Sequence, residues 1–351
     1  MPPLMKAAVL YGKEDVRVER VGVPRIGPGE ILLRSRVALT CGTDVKVFRR
    51  GYHARMIVPP ALFGHEVAGV VEEIGPEVGG VEPGTPVVVA NSAPCGECYF
   101  CRHDLSSLCD DLLFWNGAYA EFARIPARVV HRNLIPLEPG VTFREAAMVE
   151  PLACVLRGIE ESWIGRGQSV AVIGAGPIGL MFAVLARMRG AHVVVAGRNP
   201  GRLEKARELG AEGVVHVVPG LDLAERLLER SPSGRGADVV IEAVGLPETC
   251  EAAVRAVRKG GVVNLFGGCP AETRIGIDSQ RLHYQELTIK STFHHTPESI
   301  RKAFRLIADG HVDPKAFITS EVPLDDLPEV LRRLACGGDG LKTAILPWGP
   351  E

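Results

Sequence analysis

The stretch SVAVIGAGPIGLMFAVLARMRGAHVVVAGRNPGRLEKARELG, Ser169 to Gly210, decides the fold. SVAVIG is an unbroken apolar run of strand length, and PIGLMFAVLARMRG is long enough for a helix. HVVVAG repeats the strand signal and PGRLEKARELG the helix; DVVIEAVG, a helical ETCEAAVRAVRKGG and VVNLFGG continue the alternation. Strands alternating with helices of this length predict βαβ units and a parallel, doubly wound sheet, an α/β architecture. The first strand-to-helix turn carries Gly174-Ala-Gly176-Pro177-Ile178-Gly179, a GxGxxG pattern. Gly174 allows the tight turn, Gly176 lets backbone approach a pyrophosphate, and Gly179 lets helix pack on strand. The helix N-terminus then offers free N–H groups to the phosphates. In this complete strand–turn–helix–strand context the motif predicts dinucleotide binding.

The end of the second strand selects the cofactor. An acid there accepts the ribose 2′-OH of NAD and repels the 2′-phosphate of NADP. Here Gly197 is followed by Arg198, with Asn199 and Arg202 close by. A missing acid and an added guanidinium favour NADP, since Arg binds phosphate bidentately. NAD remains possible, with Arg198 solvated or stacked on adenine. Val244, near the end of DVVIEAVG, is a further candidate cofactor contact.

Outward from this core the texture changes. From Met5 to about Val149, short strand-like runs (KAAVLYG, EILLRSRVAL, VAGVVEEIG, GTPVVVA, YAEFARIP) are separated by Gly/Pro punctuation, which predicts a mostly β domain. After about Lys290 a helical SIRKAFRLIADG and further short strands suggest a return to that first domain. The expected division is 1–151, 152–290 and 291–351. A length of 351 residues exceeds one comfortable core. A formal charge of −2 gives no footprint for nucleic acid or anionic lipid. Gly167 to Ala186 is uncharged, but four helix-interrupting Gly and Pro residues in its middle argue against a membrane span.

A second signal is CGECYFCRHDLSSLC, which holds Cys95, Cys98, Cys101 and Cys109. Thiolates this crowded suit the tetrahedral shell of a closed Cys₄ zinc site, in a lobe of about residues 91–112. Two disulfides are the alternative. Nothing at the N-terminus resembles a signal peptide, and the other five cysteines are scattered, so metal is the stronger reading.

Three further pieces are Cys41-Gly-Thr-Asp44, Gly64-His65-Glu66 and Glu150-Pro-Leu. Cys, His and Glu are suitable ligands for a catalytic zinc whose protein shell stays incomplete. Singly, each has a plain structural explanation: a buried thiol, a strand-end histidine, an ion-paired acid. Together with the cysteine lobe and the nucleotide motif, they resemble the zinc-dependent medium-chain dehydrogenases, over about Met5 to Leu346. The Glu-Pro-Leu at Glu150 resembles the sorbitol (polyol) and threonine dehydrogenase branch.

That resemblance implies a GroES-like β-barrel catalytic domain joined to a Rossmann domain, in a cytoplasmic enzyme acting on a small alcohol or ketone. It implies a homotetramer or homodimer, with one catalytic and one structural zinc per chain. Cys41 and His65 carry over as direct ligands. Glu66 and Glu150 carry over as the two acids at the metal, and the sequence leaves open which binds. Asp44 would orient the His65 imidazole, and Thr43 would relay the alcohol proton. Two departures stand out. Lys46 replaces the histidine that often continues the relay. Phe293-His294-His295 replaces an Arg–Tyr pair that contacts sugar hydroxyls, so His294 and His295 become candidate substrate contacts. Phe114 and Trp115 are candidate pocket walls or core residues. The expected activity is hydride transfer between a secondary alcohol or polyol and NADP. The alternatives are an NAD-dependent threonine or diol dehydrogenase, zinc-free reduction on the same fold, or a non-catalytic NADP-binding protein.

Overall fold

A computed structural model describes residues 3–53 and 55–349. The chain divides into two compact units, Met1–Ala153 with His295–Glu351, and Cys154–His294.

The second unit carries a six-stranded sheet in the order Gly213–His216, His192–Gly197, Ser169–Ile173, Ala237–Glu242, Val257–Leu265, Thr288–Lys290. Every pair in it is parallel. Numbered within the unit this is the order 3-2-1-4-5-6 of the Rossmann fold. Ser169–Ile173 is buried throughout, as a central strand covered on both faces must be. Helices Pro177–Met188 and Pro200–Glu208 both begin with proline at the first turn, where its missing N–H costs no hydrogen bond. The uncharged run Gly167–Ala186 is thus a strand, a turn and part of a helix. Among the described residues no helix is long and apolar enough to cross a membrane. One expectation shifts: ETCEAAVRAVRKGG does not stay helical to its end. The helix stops at Ala256 and a strand starts at Val257, which pairs with Ala237. Gly260, at φ +64, then lets the strand pass its irregularity before Val262 resumes pairing with Val239.

In the first unit, among the described residues, the larger sheet runs Leu134–Pro136, Pro86–Val89, Val67–Ile74, Ile31–Leu39, Lys342–Leu346, Ile318–Pro323. Phe122–Ile125 also pairs with Ile31–Leu39. The pairing is antiparallel except between the two C-terminal strands. A smaller sheet joins Asp15–Gly22, Leu4–Gly12 and Ala61–Leu62. The core between these strands includes Leu10, Ile31, Leu33, Phe63, Val67, Tyr119 and Ile345. Lys342–Leu346, buried at every position, lies beside the strand that leads to Cys41.

Candidate active site

Cys41 is the N-cap of the helix Gly42–Arg50, in extended backbone at φ −119, ψ 152. Its sulfur accepts the Thr43 N–H at 3.4 Å, and the Asp44 carboxylate reaches back to accept the Cys41 N–H at 2.9 Å. A capping box therefore places a thiol at the partly positive end of a helix, with an acid directly behind it. Thr43 is half-buried in the same turn, and Lys46 lies one turn further on.

His65 follows Gly64, whose φ of +91 only glycine adopts without strain. Asp44 Oδ1 lies 3.1 Å from His65 Nδ1, and both side chains are almost fully buried. This fixes the ring with Nδ1 toward the acid and leaves Nε2 for a ligand role. Burial opposes charge on the imidazole, but Asp44 and then Cys41 outweigh it and raise the His65 pKa well above the usual histidine range.

Glu66 is completely buried. Lys342 Nζ donates to both of its oxygens, at 2.7 and 2.6 Å, and to Thr40 O at 3.0 Å. Burial raises the Glu66 pKa despite the neighbouring Lys342 and His65 charges. Glu150 sits in the first turn of the helix Val149–Glu161. Burial, opposed by His65 and reinforced by Glu66, pushes its carboxyl up to about 7.

Cys41, His65 and Glu66 each offer a ligand atom, all within 4.8 Å of one another. A sulfur, an imidazole nitrogen and a carboxylate oxygen this close form an incomplete tetrahedral shell, which fits a catalytic zinc. The cysteine lobe fits a closed one. The four sulfurs of Cys95, Cys98, Cys101 and Cys109 also lie within 4.8 Å of one another. Cys95 Sγ is 3.9 Å from Cys101 Sγ and 3.5 Å from Cys109 Sγ. Zinc–sulfur bonds of about 2.3 Å in a tetrahedron require sulfurs about 3.8 Å apart. None of the four is in a disulfide. Backbone N–H groups of Glu97 and Cys98 point at Cys95 Sγ and lower its pKa to about 6.

In the second unit, Gly174 has φ +117, and a Cβ on Gly179 would lie 1.7 Å from Gly174 O. Gly176 caps the helix and meets nothing within 4 Å where a Cβ would stand, so its face is open. Pro177 and Ile178 are half-exposed beside it, and the Val244 N–H is held by Glu242 Oε1 at 2.8 Å. Arg198 is exposed at the strand end, and Arg202 is half-buried on the following helix. The Asn199 side chain caps that helix, its Oδ1 accepting the Arg202 N–H at 2.9 Å. A Cβ on Gly197 would lie 2.6 Å from Ala175 Cβ, so this position is closed to any side chain unless the motif turn moves.

The remaining expected contacts divide. Trp115 is buried in the barrel core with its indole N–H donated to Ala90 O at 2.7 Å, the core placement that the sequence also allowed. Phe114 is half-buried in a short strand paired with Ser92. His295 is buried, 2.9 Å from Asn91 Oδ1. His294 belongs to the other unit, at φ +66, with its ring stacked on Phe293. Two site residues escaped the sequence reading, Lys342 and Tyr119; the Tyr119 hydroxyl donates to Asp44 Oδ2 at 2.5 Å.

Residues 27–136 match the family described as "Alcohol dehydrogenase GroES-like domain", and residues 177–309 match "Zinc-binding dehydrogenase". L-threonine 3-dehydrogenase of Pyrococcus abyssi is 32% identical over 348 residues, covering 97% of both chains. The chain is a zinc-dependent medium-chain dehydrogenase of the polyol and threonine branch. Sorbitol dehydrogenase of Bacillus subtilis is 28% identical to this dehydrogenase, covering 99% of it and 98% of the relative. A protein described as a zinc-binding dehydrogenase from Sinorhizobium meliloti 1021, solved bound to NADP, superposes with a TM-score of 0.89 at 30% identity. That match covers 98% of this chain and 100% of the other.

Proposed function

We propose that this dehydrogenase oxidises a secondary alcohol or polyol, or reduces the matching ketone, with NADP preferred over NAD. The carrying observation is the convergence of Cys41, His65 and Glu66 within 4.8 Å. Cys41 and His65 would hold zinc directly, with Glu66 and Glu150 as the acids beside it, while the four lobe cysteines would hold a second, structural zinc. Bound there, zinc would supply a Lewis acid that makes an alcohol proton more acidic, and nicotinamide would take the hydride.

The side chains account for the rest. Asp44 holds His65 in the tautomer that presents Nε2. Lys342 competes for both Glu66 oxygens, which moderates that acid's hold on a metal. Thr43, half-buried in the turn that carries Cys41, is the acceptor for the alcohol proton. For the cofactor, Gly197 lies against the phosphate-binding turn with no room for an acid, and the exposed Arg198 follows it. The relative bound to NADP agrees with this preference.

Metal analysis of the purified protein is expected to give two zincs per chain. Steady-state kinetics with both cofactors, over polyols, vicinal diols, threonine and simple secondary alcohols, then identifies the substrate class. Arg198→Leu should lower kcat/KM for NADP about ten- to a hundred-fold, the worth of one charge-assisted phosphate contact, and leave NAD unchanged. An NAD preference in the parent would overturn the cofactor assignment.

A further inference from the structure

The acid that orients His65 is itself held from behind. Asp44 is 1% exposed and carries three contacts. Oδ1 faces His65 Nδ1 at 3.1 Å, while Oδ2 accepts the Cys41 N–H at 2.9 Å and the Tyr119 hydroxyl at 2.5 Å. The phenol has a second acceptor within reach, Leu39 O at 2.9 Å. It has only one proton, and the closer, anionic oxygen takes it as a charge-assisted bond. Burial, then Asp44, raises the Tyr119 pKa well above the usual tyrosine value, so the donor stays protonated.

The same residue also underlies the backbone that carries His65. Tyr119 N donates to Phe63 O at 3.0 Å, and the amides of Gly117 and Ala118 donate to Gly64 O at 2.9 and 3.1 Å. The Tyr119 ring then passes directly beneath Gly64. A Cβ there would stand 2.5 to 2.8 Å from three ring atoms. Ring and hydroxyl therefore do different jobs: the ring seats the residue before His65, and the hydroxyl fixes the carboxylate behind it.

We propose that Tyr119 is a positioning residue for the metal centre, its hydroxyl holding Asp44 where it orients His65 toward zinc. This rests on the reading of Cys41, His65 and Glu66 as the zinc trio. Without that bond Asp44 keeps only the Cys41 N–H as a fixed donor, and the imidazole gains freedom that a bound metal must remove.

The test is Tyr119→Phe, which keeps the ring under Gly64 and removes only the hydroxyl. Zinc would be withdrawn from parent and variant with a chromophoric chelator, and both re-loaded with cobalt for absorption spectra. The expected result is that one of two zincs is bound about tenfold more weakly in the variant, with the cysteine-lobe metal unchanged and the cobalt bands of the trio shifted. In an Asp44→Asn background the Phe change should cost no further affinity, because the anionic acceptor is gone. Equal zinc affinity in parent and Tyr119→Phe, or equal weakening of both metals, overturns the role assigned to Tyr119. A parent that binds zinc only at the cysteine lobe would instead overturn the reading of the trio.

Discussion

Replacing Lys342 by Met removes the only cation within bonding distance of the Glu66 carboxylate among the described residues. Glu66 is 0% exposed and Lys342 1% exposed, so water does not take the ammonium's place. Both carboxylate oxygens lose a donor at once, and Thr40 O loses a third bond. In protein stripped of the trio metal, removing one partner of a buried pair costs about 3–5 kcal/mol, because the other charge stays behind uncompensated. The sign with pH follows. A lone buried carboxylate is cheapest when protonated, so the penalty should be small near pH 5 and grow toward pH 8. Trp163 lies in the other unit, and Trp115 and Trp348 in the barrel unit. In a Trp163→Phe background, urea unfolding followed by tryptophan fluorescence therefore reports on the barrel. With a slope of about 2–3 kcal/mol/M, the midpoint should fall by about 1–2.5 M at pH 8. Adding Glu66→Gln should recover much of the loss, since nothing charged is then left unpaired. A midpoint shift worth less than about 1 kcal/mol at pH 8 would refute the reasoning, because it would mean solvent reaches Glu66.

Gly179→Ala should weaken NADP binding at least tenfold by calorimetry without loss of zinc, because the added methyl would stand 1.7 Å from Gly174 O and push the phosphate turn open. In protein stripped of the trio metal, Glu150 should make stability pH-dependent. Its folded value of about 7 lies above the ordinary 4.5. Its contribution, on the order of 3 kcal/mol, is fully present below pH about 4.5 and is lost as pH rises through about 7. Glu150→Gln should flatten that slope in denaturation at successive pH values, and an unchanged slope would count against it. Cys98→Ser should reduce the zinc content from two to one and lower the melting temperature, while folded protein still turns over substrate. Unaltered stability would mean that the lobe bears no structural load.

The parts of the site that sequence disclosed are those written as local spacing. GxGxxG shows because turn, phosphate seat and helix start fall within six residues, and the alternating texture around it gave the parallel sheet. The cysteine lobe shows because its sulfurs lie within fifteen residues. The Cys41-Gly-Thr-Asp44 motif shows for the same reason: it spans four residues, whose two ends form a capping box in the structure. Contacts between distant parts of the chain left no such trace. Tyr119 lies 75 residues from Asp44, and Lys342 276 residues from Glu66. In sequence Tyr119 is an aromatic in a strand-like run, and Lys342 a surface-type residue opening an apolar one. Only the fold brings them to the site: Lys342 opens the strand paired beside Ile31–Leu39, and Tyr119 is held in a bend by its amide on Phe63 O. Trp115 is open to either role in sequence, pocket wall or core, because only the fold shows its indole bonding inward to Ala90. Gly197 reads as a missing acid, and packing against Ala175 explains why nothing larger is there.

The placement of Lys342–Leu346 also orders events during synthesis. Cys154–His294 is one continuous segment, so the nucleotide unit has all its residues once His294 has been made. The barrel unit is interrupted, and the strand that inserts between Ile31–Leu39 and Ile318–Pro323 is made after it. Until that strand arrives, the Ala38–Leu39 end of Ile31–Leu39 lacks its partner and the Glu66 carboxylate has no ammonium. A ribosome-bound chain paused before Lys342 should therefore display a folded nucleotide module beside an unfinished barrel, the stage at which a chaperone has most to shield.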